Sequence, residues 1–169
     1  DVFDPAKLTC VVEEVILSGN ISSTDSDVSI IWTTDTGNII GDPTAEAVEV
    51  DEPSIYYAEV TDLSSGCINT VSVMVEENTE VPLSQVEASG DLNCVSHNVQ
   101  LNGSGIGVDM AFSWKDQNAM IIPGEHTEVL TVQEPGAYTF VVFDQENGCY
   151  SESLVTVAVD TISPDLDVD

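Results

Sequence analysis

The sequence predicts an all-β chain made of two tandem antiparallel sandwiches of about seven strands each. Three observations predict it: an internal repeat, short runs in which apolar and polar residues alternate, and a tryptophan in the third such run of each copy. No segment has the 3.6-residue periodicity of a helix.

The repeat is read from Tyr56 to Cys67, YYAEVTDLSSGC, against Tyr138 to Cys149, YTFVVFDQENGC, an offset of 82 residues. The same offset pairs Trp32 with Trp114, Pro53 with Pro135, and Val73 and Val75 with Val155 and Val157. After a two-residue gap, Leu8-Thr9-Cys10 matches Leu92-Asn93-Cys94, and Leu17 with Gly19 matches Leu101 with Gly103. The expected modules are residues 1–81 and 82–164, with 165–169 opening a linker or a further copy, as in a slice of a longer array.

Taken in order, Val15 and Leu17 fit the second strand of copy one, and Val28, Ile30 and Trp32 the third, with a turn at Asp35-Thr36-Gly37-Asn38 leading into Ile39-Ile40. Val48 and Val50, then Tyr56, Ala58 and Val60, then Val71, Val73 and Val75 complete the copy. Copy two offers Val99 and Leu101, then Met110, Phe112 and Trp114, then Met120 to Ile122 closed by Pro123-Gly124. Val129, Leu130 and Val132 follow, then Tyr138, Phe140 and Val142, and last Val155, Val157 and Val159. Trp32 and Trp114 are expected core residues. Tyr56 and Tyr138 open a strand where sandwich folds tie a tyrosine hydroxyl to nearby backbone, a tyrosine corner. Copy two carries Pro135-Gly136-Ala137 before that tyrosine, whereas copy one has Ser54-Ile55, which weakens the expectation there.

Modules of this size bury a modest core, so a covalent staple would help. Pairing Cys10 with Cys67 and Cys94 with Cys149, one bridge per module, is one of three connectivities. It is favoured because each bridge closes a loop within its own copy. A loop of that length is worth about 4 kcal/mol in the chain-entropy model. Bridges imply an oxidising compartment, hence an extracellular location. No Cys-x-x-Cys occurs and His97 and His126 are unmatched between copies, which argues against zinc.

Thirty-one Asp and Glu stand against Lys7 and Lys115, a net charge of −29. Nucleic acid and anionic membrane surfaces would both be repelled. Such a balance fits divalent cations, high salt, or a self-repelling soluble surface. No apolar run is long enough to insert into a membrane.

Leu-x-Cys, then Trp, Pro-Gly-x-Tyr, Asp-x-x-x-Gly-Cys and Asp-Thr-x-x-Pro together resemble the immunoglobulin-like and PKD-like tandem repeats of large secreted, adhesin-type surface proteins of Bacteroidota. The resemblance implies immunoglobulin-like sandwiches in a stalk, fibre or adhesin, without catalysis. The cysteines depart from the usual immunoglobulin positions: one of each copy precedes the second strand and the other follows a glycine in the last turn.

Candidate sites follow. Carboxylates at the junction, Glu76, Glu77, Asn78, Glu80, Glu87 and Asp91, and at the far end, Asp160, Asp165, Asp167 and Asp169, would suit calcium; Asp25, Asp27 and Asp62 form a weaker set. With Phe140 and Val142 inward, Val141 and Phe143 form an apolar outer stripe, a candidate partner surface. Asn20 and Asn102 stand in glycan sequons, and Thr161 in a short O-glycosylation pattern. The expected partners are neighbouring repeats or identical subunits, with surface glycans or proteins beyond them. The alternatives are a self-assembling filament subunit, or carbohydrate-binding accessory modules of a secreted enzyme using Tyr57 and Tyr150 as aromatic platforms.

Overall fold

The computed structural model describes residues 7–19 and 27–162. The chain divides into two compact units, Asp1–Thr79 and Glu80–Asp169. Among the described residues every regular element is a strand, and no helix is long and apolar enough to cross a membrane.

The first unit runs β1 (Leu8–Thr9), β2 (Val15–Ser18), β3 (Val28–Thr34), β4 (Ile39–Ile40), β5 (Ala47–Val50), β6 (Ser54–Asp62), β7 (Ile68–Val75) and β8 (Glu77–Asn78). One sheet has the order β2-β5-β4 and the other β3-β6-β7, all neighbours antiparallel. Alternation drives the layering: β2 and β5 turn Val15, Leu17, Val48 and Val50 inward, and β3, β6 and β7 answer with Ile30, Trp32, Tyr56, Ala58, Val73 and Val75. Each such side chain contributes about 1.5–3 kcal/mol by leaving water.

The second unit runs β9 (Leu83–Ala88), β10 (Leu92–Asn93), β11 (Val99–Ile106), β12 (Met110–Lys115), β13 (Val129–Val132), β14 (Gly136–Asp144), β15 (Tyr150–Val157) and β16 (Val159–Asp160). Its sheets are β13-β11-β9 and β12-β14-β15. The repeat counterpart of β9 falls outside the described residues. This core is more aromatic: Phe140 lies with its ring centroid 4.8 Å from Trp114 and 5.6 Å from Phe112. Gly103 makes room for it, since a Cβ there would stand 2.6 Å from the Phe140 ring. The matched Gly19 faces Ile30 at 3.4 Å, because Ala58 occupies the position of Phe140.

Two expectations change. Met120 to Ile122 forms only an isolated bridge, Ile121 with Lys115, rather than a strand. The Asp116 carboxylate takes the amides of Asn118 and Met120, each at 2.9 Å, which turns the chain too tightly for a ladder. Sequence alternation also misses β9 and four two-residue strands. β1 pairs with β8 and β10 with β16, both in parallel.

Candidate functional site

The tryptophans organise each unit by a polar contact as well as by bulk. The indole N–H of Trp32 donates to the carbonyl of Ala45 at 3.1 Å, and that of Trp114 to Thr127 at 2.9 Å. Each bond pins a connection thirteen residues downstream, so no buried indole donor goes unmatched.

Both tyrosine corners form. The Tyr56 hydroxyl donates to the Glu52 carbonyl at 2.7 Å and accepts from the Asn38 amide at 3.2 Å, and the Tyr138 hydroxyl donates to Glu134 at 3.0 Å. Ser54-Ile55 therefore does not prevent the corner in copy one, because the bond reaches backbone four residues back and needs no glycine beside the ring. Room is made instead at Gly37, where a Cβ would overlap the Tyr56 hydroxyl. Burial pushes both phenols above their ordinary range, with nearby carboxylates adding to it.

The Leu-x-Cys motif builds the parallel pairs. Leu8 and Leu92 are buried core anchors. The next side chain, Thr9 or Asn93, caps a reverse turn: Thr9 accepts the amides of Val11 and Val12, and Asn93 those of Val95 and Ser96. The leucine amide donates to Glu76 in one unit, and to Ala158 in the other, at 3.0 Å each. The first unit adds an ion pair, Lys7 to Glu76 at 2.8 Å, and the second a bond from the Ala158 amide to the Asp91 carboxylate at 3.2 Å. β1 with β8, and β10 with β16, thus hold one another side by side, pointing the same way.

The Asp-x-x-x-Gly-Cys motif is a hairpin turn. Asp62 accepts both the amide and the hydroxyl of Ser64 and of Ser65, and Gly66 takes a left-handed φ of 72°. The serine hydroxyls and then the amides hold the Asp62 carboxyl well below the usual carboxylate range. Asp144 repeats the role on Glu146 and Asn147, with Gly148 at φ 73°.

Cys10 and Cys149 are disulfide-bonded. Cys67 and Cys94 are free and exposed, which overturns the expected Cys10–Cys67 and Cys94–Cys149 pairing within each copy. The hairpin turns close through the Asp62 and Asp144 hydrogen bonds, so neither turn needs a local staple.

The expected apolar stripe also changes. Val141 is 8% exposed and Phe143 40%. Lys115 on β12 pairs with Glu152 on β15. The register carries that ion pair across β14 at Thr139 and Val141. What remains outside is Phe143 flanked by Tyr150 on β15, the latter 59% exposed. In the first unit, Pro53, Ile55, Tyr57 and Met74 line an open groove of about 500 Å³ rimmed by Asp35 and Glu76.

Among the described residues, no group of three or more Asp, Glu, His or Cys is arranged to hold a metal. Glu76 is engaged with Lys7, and Asp91 with the Ala158 amide. Glu77, Asn78 and Asp160 lie in the short parallel strands β8 and β16. Glu80 gives its carbonyl to the Asn147 side chain, and Glu87 faces Asn102 across β9 and β11. Asp62 is committed to Ser64 and Ser65, and Asp25, Asp165, Asp167 and Asp169 lie outside the described residues. Of the glycan candidates, Asn102 is exposed within β11, Thr161 is exposed, and Asn20 lies outside the described residues.

The two-sheet strand order, the core tryptophan and the tyrosine corner define an all-β, immunoglobulin-like protein. No family model and no curated protein matches the chain. Among solved structures, it is similar to the full ectodomain of mouse nectin-like molecule 4, at 16% identity and TM-score 0.40, over 99% of this chain and 65% of that one. It is also similar to three N-terminal domains of the bacteriophage RB49 Highly Immunogenic Outer Capsid protein, at 14% identity and TM-score 0.42, over 94% and 58% of the two chains. Murine CEACAM1b is similar at 12% identity and TM-score 0.42, over 89% and 93%. The chain spans less than two thirds of the length of the first two.

Proposed function

We propose that the chain is a non-catalytic, load-bearing segment of an extracellular surface protein, serving as a stalk, fibre or adhesin. One observation carries the reading: in both units the strand of the Leu-x-Cys motif, β1 or β10, and the last described strand, β8 or β16, run parallel and are hydrogen-bonded to each other. Tension that reaches these two strands from opposite ends of a unit, in the second unit by way of β9, pulls them in opposite directions along one axis. Their bonds are then loaded together in shear, whereas antiparallel terminal strands would be unzipped one bond at a time. Duplication of the clamp, with Leu8 and Leu92 both buried beneath it, supports a spacer that bears force along its length. The two histidines, His97 and His126, stand exposed in separate loops.

Single-molecule stretching in a reducing buffer tests this, since forced unfolding reads the unfolding barrier directly. Two unfolding events are expected. Leu8→Pro, which removes the amide bonded to Glu76, should lower the force of one event and leave the other. Equal forces in the variant and the unaltered chain would overturn the reading.

A further inference from the structure

The outer face of the β3-β6-β7 sheet carries a groove in the first unit whose lining is replaced in the second. Tyr56 and Ala58 on β6, and Val73 and Val75 on β7, point into the core, so Ile55, Tyr57 and Met74 between them point out. Ile55 stands opposite Met74, and Tyr57 follows two residues along the same strand. With Pro53 they form the floor of the groove of about 500 Å³, and Ile55 and Met74 are exposed. Its rim is anionic. Asp35 follows the end of β3 and Glu76 the end of β7, one on each side of β6. Continuing the register one residue past Thr34↔Tyr56 and Ser54↔Val75 sets Asp35 level with Ile55 and Glu76 level with Pro53. Two strand spacings across and two residues along put their backbones about 12 Å apart.

At the 82-residue offset, Ile55, Tyr57 and Met74 become Ala137, Thr139 and Thr156, and Asp35 and Glu76 become Gln117 and Ala158. Both units keep the indole hydrogen bond and the tyrosine corner, so the fold does not require these five residues. The apolar floor and the charged rim thus occur together in one copy and are replaced together in the other.

Charge selects the occupant. Asp35 makes no ion pair among the described residues, and Lys7 meets Glu76 at one oxygen, Oε2. A second copy would bring a net charge of −29 and only two lysines, both already paired with glutamates. Nucleic acid and anionic lipid carry the wrong sign as well. From this we infer that the groove binds an extended basic segment of another protein. An apolar side chain of the segment fills the space between Ile55, Tyr57 and Met74, and a lysine or arginine on either side of it meets Asp35 and Glu76. In an extended chain, side chains two residues apart share a face, so a basic-x-apolar-x-basic pattern presents all three groups together, its basic positions about 13 Å apart. The load-bearing reading does not use this surface, and either can fail without the other.

The test follows amide chemical shifts of the full, isotope-labelled chain at physiological salt during titration with the acetylated, amidated peptide Lys-Ser-Leu-Ser-Lys. Saturable shifts are expected at Asp35, Ile55, Tyr57, Met74 and Glu76. Tyr57→Thr combined with Met74→Thr, which installs the residues of the second unit, should weaken binding about tenfold, and Asp35→Gln about threefold. All three substitutions lie on the outer face, and unchanged melting temperatures would verify folding. The peptide Lys-Ser-Ser-Ser-Lys keeps the charge without the apolar side chain, and should shift the groove no more than it shifts other carboxylates of the surface. Equal binding of the two peptides would overturn the inference, as would undiminished binding by the double variant or no saturable shift up to the solubility limit of the peptide. A neutral oligosaccharide such as maltotriose shifting the same residues where the peptide does not would overturn it too.

Discussion

Replacing Tyr56 by phenylalanine deletes one oxygen from the first unit and should cost more than the same change at Tyr138. The Tyr56 side chain is fully buried, and its hydroxyl both donates to Glu52 at 2.7 Å and accepts from Asn38 at 3.2 Å. A hydrogen bond contributes about 1 kcal/mol net, and more when a buried partner is left unmatched. Two bonds therefore place Tyr56→Phe at about 2 kcal/mol. Tyr138 makes a single, more exposed bond to Glu134, which places Tyr138→Phe at about 1 kcal/mol. For modules of this size, 1 kcal/mol moves the melting temperature by about 4–8 °C. Each unit has one tryptophan, so thermal melts followed by fluorescence in Trp114→Phe and Trp32→Phe backgrounds report the two units separately. Equal shifts for the two variants, or shifts of under about 1 °C, would refute the argument. The alkaline limb adds a second reading. A phenol whose folded pKa is raised contributes stability that is fully present below its unfolded value near pH 10, and that is lost as pH rises through the folded value. Tyr56→Phe should lose that dependence.

Gly103→Ala should destabilise the second unit by about 1–3 kcal/mol, because the new methyl meets the Phe140 ring at 2.6 Å, while Gly19→Ala, at 3.4 Å from Ile30, should be nearly neutral. Denaturant midpoints in the same single-tryptophan backgrounds compare them, and equal costs would show that the core relaxes around either methyl. The Asp62 turn should loosen in acid. A depressed folded pKa gives stability that is present above the unfolded value near pH 4 and lost as pH falls through the folded one. Amide exchange at Ser64 and Ser65, relative to the intrinsic rate, should therefore accelerate well below pH 4, and in Asp62→Ala it should be fast at every pH.

Most long strands were legible because alternation is a property of the side chains themselves: Val15 and Leu17, Val48 and Val50, and Tyr56 and Ala58 are buried as their spacing requires, whereas β9, whose Leu83 falls out of step with Val86 and Ala88, was not. The Asp-x-x-x-Gly-Cys turn was visible as a motif, and its glycine has a local backbone reason at Gly66 and Gly148. Two-residue strands such as β1 and β10 are too short to alternate, so only the recurrence of Leu8 and Leu92 pointed to them. Val141 misled for a related reason. Strand period predicts which face a residue takes, but not that Lys115 and Glu152, from strands on either side, reach across to cover it. The cysteines misled more deeply. Repeat symmetry fixes which positions are equivalent, not which of them are bonded.

Parallel closure also bears on how each unit comes to be folded. Leu8 must wait for Glu77 and Leu92 for Val159, so the pairing that closes each unit joins a strand near its start to its last described strand. A chain emerging amino-terminus first, from a ribosome or through a translocation pore, keeps each sandwich open until its final strand is out. Completion is thus stepwise along the polypeptide: the leading copy can shut while its successor is still threading, and only one copy at a time is caught half made.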